Sequence, residues 1–315
     1  MTSIEQPTTK KHSLEFKNFD DIVVSTKTFI INTNLVIDLK KLFEFLPISD
    51  FVVIPKRRGR KKHKEPYVDP NPDIINGSIV TLKYENKMRG VDLKAKKSHT
   101  KKRKTKWFRN SFTVVIILDN KPVNFKVCHN GMFQITGVKF DKQAEDCVHF
   151  IWSFIKDTEN IYSFSSGDFL DCIIIPAMRN IDFSLGFNVD REKLARYIAR
   201  HSDFHSLLET SFGYTGVNIK IPITNDIKKL MLKKLSFKDD EVCESFISYG
   251  DYITILPDKD RNKKINKIRY NTFLAFHSGK VIQSGINSEF MRDSYEYFLN
   301  IIRGCYEEIV EKLDV

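Results

Sequence analysis

A thirteen-residue segment occurs twice in the chain, and this repeat constrains the fold more than any other feature. The first copy runs from Phe125 to Gly137 and the second from Phe273 to Gly285, so each residue of one copy lies 148 positions from its counterpart. Each copy reads as two strands around a central Asn-Gly or Ser-Gly pair, which favours a two-residue hairpin turn. The interval is too long for a solenoid unit. The repeat therefore predicts two similar halves.

Both halves show a similar order of predicted elements. In the first half we predict strands at Phe19–Asn32, Phe51–Ile54, Gly77–Tyr84, Phe112–Leu118, Val123–His129 and Met132–Lys139, with helices at Ile37–Leu46 and Asp141–Lys156. In the second half we predict strands at Cys172–Phe187, Val217–Ile223, Tyr249–Leu256, Lys267–Phe276 and Val281–Ile286, with helices from Asp190, over Asp226–Phe246 and over Ser288–Leu313. The predicted domains are a disordered tail at 1–18, a first repeat at 19–162 with basic insertions at about 55–110, and a second repeat at 163–315. Two such halves form one curved sheet with helices on a single face, which leaves the other face for a partner.

The composition is that of a folded chain with a core of ordinary size. Its 315 residues are 41% hydrophobic, and the sequence contains no apolar run near the ~18 residues that a membrane span requires. The N-terminal residues are polar and lack the apolar centre of a signal peptide. Five cysteines form no CxxC pair, so we expect core thiols in a reducing compartment rather than a disulfide framework.

The positive charge is concentrated in two runs that contain no acidic residue. Lys56–Lys64 carries seven positive charges and Lys94–Arg109 carries nine, and without these sixteen the net charge of +11 becomes −5. Such runs attract phosphate backbones, and they are also typical of localisation signals or solvated tails. The residues that we expect to contact nucleic acid are Lys56, Arg57, Arg58, Arg60, Lys61, Lys62, Lys101, Lys102, Arg103 and Lys104.

The duplication, the element order and the glycine hairpins resemble the core domain of the TATA-box-binding protein family. The most specific segment is Phe276-His277-Ser278-Gly279-Lys280-Val281-Ile282-Gln283-Ser284-Gly285, which is similar to the family's FxSGKxVxTG pattern, and Cys128–Gly137 is a weaker copy. The resemblance covers roughly Phe19–Leu313 with large insertions. The Lys, Asn, Ile and Phe-rich composition looks most like the divergent members found in large DNA viruses.

The resemblance implies an α+β fold: a pseudo-twofold saddle, with a curved antiparallel sheet and helices on the convex face. The family is itself the standard example of minor-groove binding by apolar wedges that kink the duplex by about 80°. The residues that fall on DNA-binding positions are Phe112, Cys128, Tyr249 and Phe276 as wedges, with Lys126, Gln134, Thr136, Leu274, Ile282 and Ser284 facing the groove. Lys280 and Ser278 fall on phosphate-contacting positions, which Met132 and Asn130 occupy in the first half.

The sequence departs from the family pattern mainly in the first half. Cys128 stands where a member has phenylalanine, and Leu118 and Ile255 stand where members have a phosphate-contacting arginine. Thr28, Asn32 and Asn180 lie nearest to the paired asparagines of the family. We therefore expect the second half to bind and kink a duplex more strongly than the first.

The implied partners are double-stranded DNA, a transcription factor IIB-like protein and a multisubunit RNA polymerase. A viral protein of this kind acts in a cytoplasmic viral factory or the virion, and a cellular one acts in the nucleus. No spacing of residues in the sequence matches that of a metal site, a phosphate-binding loop or a set of catalytic residues. We therefore expect no metal, no cofactor and no enzyme activity. The principal alternative is a protein-interaction scaffold that has kept the fold but lost DNA binding. The third candidate is a nucleic-acid enzyme that uses the fold for substrate binding.

Overall fold

The structure is a computed structural model that describes residues 14–53, 69–93, 110–201, 204–209, 216–238, 241–265 and 267–311. Both basic runs, with Lys56–Lys64 and Lys94–Arg109, lie outside the described residues. The end of the predicted tail is described and ordered. The main-chain oxygen of Lys17 accepts a hydrogen bond from the Tyr295 hydroxyl at 2.6 Å, and the Arg303 guanidinium lies over the Phe16 ring. The boundary at residue 18 is therefore too late.

The chain divides into two compact units that are not contiguous in sequence. The N unit contains residues 26–179 and 226–267, and the C unit contains 14–25, 180–225 and 268–311 among the described residues. The predicted boundary at 162 and 163 is displaced to 179 and 180, inside a strand. Residues 226–267 lie in the sequence of the second repeat but belong to the N unit, because one of their strands pairs there and Leu235 joins its core.

The N unit is an antiparallel sheet, and two helices of the first repeat pack on one of its faces. Its elements are β1 (Val24–Thr33), β2 (Leu35–Ile37), α1 (Leu39–Phe45), β3 (Ile79–Tyr84), β4 (Lys87–Gly90), β5 (Ser111–Leu118), β6 (Lys121–Cys128), β7 (Met132–Val138), α2 (Asp141–Ile155), β8 (Tyr162–Phe164) and the first part of β9 (Leu170–Ser184). The strand order is β1-β7-β6-β5-β3-β4, and β2 pairs with β8. The segment at 51–53, predicted as a strand, is irregular.

The C unit repeats this arrangement with its own strands. Its elements are the end of β9, α3 (Arg191–His201), β10 (His205–Glu209), β11 (Gly216–Pro222), β14 (Tyr270–Phe276), β15 (Lys280–Gly285) and α6 (Ser288–Ile309). The strand order is β10-β11-β14-β15-β9, which matches β3-β5-β6-β7-β1 in the N unit. The predicted α+β class with antiparallel strands is confirmed in each unit. In the N unit α1 and α2 pack into the core on one face of the sheet, and in the C unit α3 and α6 do the same.

Residues 226–267 contain a short 3-10 helix (Ile227–Lys229), β12 (Met231–Lys238), β13 (Glu241–Ser248), α4 (Tyr249–Thr254) and α5 (Asp258–Ile265). Two predictions are wrong here. The helix expected over Asp226–Phe246 is the β12–β13 hairpin, since β12 pairs with both β9 and β13 and this outweighs its helical spacing. The strand expected over Tyr249–Leu256 starts as α4, because the Ser248 hydroxyl caps it by accepting from the Asp251 amide at 3.0 Å.

Equivalent hydrogen bonds confirm the internal duplication. In the N unit the main-chain oxygens of His129 and Ile161 accept from Ile37 and Asp38, both at 2.8 Å. In the C unit the oxygens of His277 and Ile309, 148 positions later, accept from Val189 and Asp190 at 2.8 and 2.7 Å. Asp38 and Asp190 both cap a following helix through two backbone amides. These first-strand and first-helix residues are offset by 152 positions, so each repeat carries the same framework around its hairpin.

The hairpin glycine of each repeat is required by both backbone conformation and space. Gly131 and Gly279 have φ of +69° and +72°. A Cβ atom at Gly131 would meet the main-chain oxygen of Leu35, and one at Gly279 would meet that of Phe187, in both cases far inside van der Waals contact. Leu35 and Phe187 are equivalent residues under the 152-residue offset. A close approach between this turn and the chain after the first strand is therefore built into both repeats.

Replacing Gly131 with alanine is expected to destabilise the protein by about 2 kcal/mol. This value is the sum of two costs, the strain of a left-handed backbone and the close contact of the new Cβ with the Leu35 oxygen. The matched control is Gly137→Ala in the same unit, where φ is +80° but no atom lies within 4 Å of the added Cβ. It should cost only about 1 kcal/mol. Urea unfolding of both variants gives the comparison, and equal losses would show that the close approach carries no cost.

Candidate nucleic-acid interface

The sheet of the C unit has one face covered by helices and a second face that we call the C-unit open face. Along β14 the side chains of Phe273 and Ala275 are buried against α6, and alternate residues point away from it. Cross-strand pairing of Leu274 with Ile282, and of Thr272 with Ser284, places these residues on one surface. The C-unit open face comprises Ser184, Asn218, Lys220, Thr272, Leu274, Phe276, Lys280, Ile282 and Ser284.

This face combines apolar side chains at its centre with hydroxyl, amide and ammonium groups around them. Leu274 and Ile282 lie side by side, flanked by Asn218 on β11 and by Thr272 and Ser284. Lys220 and Lys280 are exposed at its ends. An apolar surface rimmed by hydroxyls and lysines suits the minor groove, where bases offer few distinctions and sugars and phosphates line the walls.

An open cavity of about 850 Å³ lies at the end of this face beside Phe276. Phe276, Lys280, Ile282 and Ser184 line it from the sheet, and residues 21–23 line it from the N-terminal segment. The hairpin turn that carries Ser278 is closed by a hydrogen bond from the Gly279 amide to the Phe276 oxygen at 3.0 Å. The turn therefore fixes Phe276 and Lys280 at the two ends of adjacent strands, next to open space.

His277 in this turn has a structural explanation. Its Nε2 atom lies 2.8 Å from the Glu311 carboxylate, and its main-chain oxygen is part of the duplicated framework. The equivalent His129 contacts the Ile37 oxygen through Nδ1 at 2.7 Å. The two histidines therefore share equivalent main-chain hydrogen bonds, while their side chains contact different partners.

The equivalent surface of the N unit, the N-unit open face, is more polar. Strand register places Lys126 opposite Gln134, and Asn32 opposite Met132, on the side away from α2. Thr136 is exposed, and its hydroxyl donates to the Asn124 oxygen at 3.3 Å. Burial raises the pKa of the Cys128 thiol, so this group stays protonated and uncharged at neutral pH. The N-unit open face thus lacks the large apolar side chain that Phe276 gives the C unit.

Two of the predicted wedges are core residues in this structure. Phe112 pairs with Val127, which places its ring on the helix-covered face with 1% of its surface exposed. Its neighbours Ser111 and Thr113 face the other way, so the predicted register was displaced by one residue. Tyr249 begins α4 and is 3% exposed. Neither ring is available to a base step in this conformation.

The remaining predicted positions fall on the surfaces expected of them, and their DNA contacts stay predictions. Cys128, Gln134 and Thr136 lie on the N-unit open face, and Leu274, Phe276, Lys280, Ile282 and Ser284 lie on the C-unit open face with Ser278 in its turn. Leu118 is buried, whereas Ile255 is 64% exposed. Asn218, Lys220 and Thr272 were missed, because their place on the face depends on which strands pair, and local alternation does not give that.

The described residues contain no group of three or more histidine, cysteine or acidic side chains placed to hold a metal ion. All five cysteines are free, and three of them, Cys147, Cys172 and Cys305, are buried. Each helix in the described part of the chain is too short or too polar to cross a membrane.

Comparison with known proteins finds similarity to a viral protein and to solved structures. No protein-family model matches the chain. It is 26% identical over 295 residues to Uncharacterized protein 335L of Invertebrate iridescent virus 6, with 90% of this chain and 84% of that protein covered. Among solved structures it is similar to Methanococcus jannaschii TBP, with 12% sequence identity and a TM-score of 0.44, covering 90% of this chain and 98% of that chain. The chain is thus similar to a viral protein that is itself uncharacterised.

Proposed function

We propose that this protein is a TATA-box-binding-protein-like transcription initiation factor that binds AT-rich duplex DNA through the minor groove. The observation that carries the proposal is the C-unit open face, with Leu274 and Ile282 at its centre and Phe276 and lysines at its ends. Minor-groove proteins insert apolar side chains between base steps and bend the duplex, and Phe276 beside an open cavity is suited to this role.

The basic runs supply the second element of the proposal. Lys56–Lys64 and Lys94–Arg109 provide sixteen positive charges in a chain whose remainder is net negative. Contacts with phosphates add affinity without sequence preference and depend steeply on salt. We assign sequence selectivity to the C-unit open face and general attraction to these runs.

The proposed partners are a transcription factor IIB-like protein and a multisubunit RNA polymerase, and they rest on the family resemblance alone. The similarity to an iridescent virus protein supports a viral origin, and hence action in a viral factory or the virion. Affinity capture with the full chain from infected cells should recover polymerase subunits. Recovery of only non-transcription proteins would count against these partners.

Binding to matched AT-rich and GC-rich duplexes tests the function directly. Across a salt series, the full chain should bind the AT-rich duplex more tightly, and it should bring fluorophores at the duplex ends closer together. The exocyclic amine of guanine obstructs the floor of the minor groove, so a minor-groove protein should bind the GC-rich duplex less tightly. Equal affinity for both duplexes would therefore contradict the proposal.

Deleting Lys94–Lys104 is expected to weaken binding to both duplexes alike and to flatten the dependence of log K on log salt. The deletion removes seven positive charges, and each phosphate contact contributes about 0.9 to the slope. Fluorescence anisotropy at several salt concentrations measures both quantities. Unchanged affinity at low salt would show that this run contacts no DNA.

A protein-interaction scaffold is the second candidate, and one observation favours it. Asn32, on the N-unit open face, donates its side-chain amide to the Tyr252 hydroxyl at 2.6 Å. Part of that face is therefore covered by the protein's own chain. A scaffold predicts no salt-dependent shift of any duplex by the full chain, which separates the two candidates.

A further inference from the structure

Residues 226–267 cover, in the N unit, a place that is open in the C unit. In the N unit, strand register aligns Asn32 with Met132, and Cys128 continues this row on β6. Under the offsets established above, the equivalent row in the C unit is Ser184, Lys280 and Phe276. Those three residues line the cavity of about 850 Å³. The same row therefore has two different environments in the two repeats.

Tyr252 on α4 is the residue that makes the difference. Its hydroxyl accepts from the Asn32 side-chain amide at 2.6 Å, and its ring packs against Tyr249 with 5.8 Å between centroids. Only 2% of the Tyr252 surface is exposed. Since the neighbouring Ile31 is fully buried on the helix-covered side, Asn32 points to the open face, and Tyr252 must lie there too.

β12 and α4 are both packed into the N unit, with Tyr249, Tyr252 and Ile253 of α4 buried, and α5 at the far end of the segment is exposed. β12 pairs with β9, and the buried Leu232 and Leu235 belong to this strand. α5 has no buried residue and is charged along its length, with Lys264 over the Tyr252 ring. Burial raises the pKa of Tyr252 to about 12, so its hydroxyl remains neutral and able to accept from Asn32 at physiological pH. Movement of α4 and α5 would expose Asn32 without separating β12 from the sheet.

We propose that α4 and α5 form an internal cap that competes with duplex DNA for the N-unit open face. The cap occupies the β1 end of that face through Tyr252, and DNA reaches Asn32 only when α4 withdraws. The inference rests on the proposed function, because it needs a duplex as the competitor. The proposal adds that the open faces of the two repeats differ in their accessibility to DNA as well as in their apolar surface.

The test is amide hydrogen exchange of Tyr249–Thr254 in the full chain, with and without an AT-rich duplex. Tyr252→Phe removes only the hydroxyl bonded to Asn32. Its matched control is Tyr162→Phe, which removes a hydroxyl that donates to the Lys156 oxygen at 2.9 Å in the same unit. We expect duplex to speed exchange in α4. Tyr252→Phe should speed exchange in α4 even when no duplex is present. It should also tighten duplex binding by about two- to tenfold, which is the change expected from the loss of one hydrogen bond. Tyr162→Phe should do neither.

Each failure has its own signature. Duplex binding that leaves α4 exchange unchanged or slower overturns the cap while the proposed function stands. The same holds if Tyr252→Phe and Tyr162→Phe behave alike. If neither the natural chain nor Tyr252→Phe binds duplex, the proposed function fails and the cap fails with it. Binding by Tyr252→Phe alone supports both.

Discussion

Phe276→Ala is expected to weaken binding to an AT-rich duplex by about thirty- to a hundredfold and to reduce its bend. Opening a base step costs a few kcal/mol, which a large inserted apolar face must offset. A loss of about 2.1–2.8 kcal/mol corresponds to this range of affinity. Phe276 offers such a face at the end of β14, beside open space, and its truncation removes it. Anisotropy gives the affinity, and energy transfer between fluorophores at the duplex ends gives the bend.

Cys128→Ala is the matched control, since Cys128 occupies the equivalent position 148 residues earlier. A thiol presents far less apolar surface than a phenyl ring, so we expect less than a threefold change in affinity and no change in bend. Equal effects of the two substitutions would contradict the asymmetry between the repeats. A natural chain that binds without bending would show that Phe276 acts other than as a wedge.

Lys233→Met is expected to destabilise the N unit by about 3 kcal/mol, because it leaves the buried Glu145 carboxylate with only the more distant Lys142, at 3.8 Å. Lys233 Nζ lies 2.8 Å from Glu145 on α2 and 2.7 Å from Glu244 on β13. Burial alone lowers the pKa of Lys233, but hydrogen bonds to both carboxylates outweigh this and hold its pKa above the ordinary value. Urea unfolding monitored on the full chain measures the loss.

Two further variants separate charge burial from loss of packing. Lys233→Met with Glu145→Gln should recover much of the stability, since the unpaired charge is gone. Lys234→Met, the neighbouring control, breaks a more exposed pair with Asp171 at 2.8 Å and should cost no more than about 1 kcal/mol. A double variant as unstable as Lys233→Met would indicate that the methylene packing of Lys233 matters more than its charge.

The repeat could be read from the sequence because its signal is local. Asn130-Gly131 and Ser278-Gly279 specify hairpins, and both turns form as expected. The helices that follow Asp38 and Asp190 and the helix that begins at Asp141 were also predicted, since their apolar spacing, and the capping aspartates of the first two, lie within one segment. These features depend on neighbours within about four residues, which is the range over which sequence patterns act.

The errors concern features that depend on distant pairing. Phe112 was placed on the wrong face because a one-residue change of register exchanges the two faces of a strand. The β12–β13 hairpin was mistaken for a helix, since its pairing partner β9 lies more than fifty residues earlier. The hydrogen bond between Asn32 and Tyr252 spans 220 residues. The candidate site was therefore predicted well in β14 and β15 and poorly where residues 226–267 contact the N unit.

The interleaving of the two units has a consequence for synthesis on the ribosome. The N unit lacks β12 until residues 226–267 have emerged, and Leu235 of that strand belongs to its core. The C unit uses the start of the chain as well as its last helix, since Arg292 on α6 holds both carboxylate oxygens of Asp20 at 2.6 Å. Neither unit can be completed from a contiguous nascent segment. A fragment ending at residue 179 lacks a strand of its own sheet, so the N unit can be completed only after residues 226–267 have emerged and the C unit only after α6 has followed.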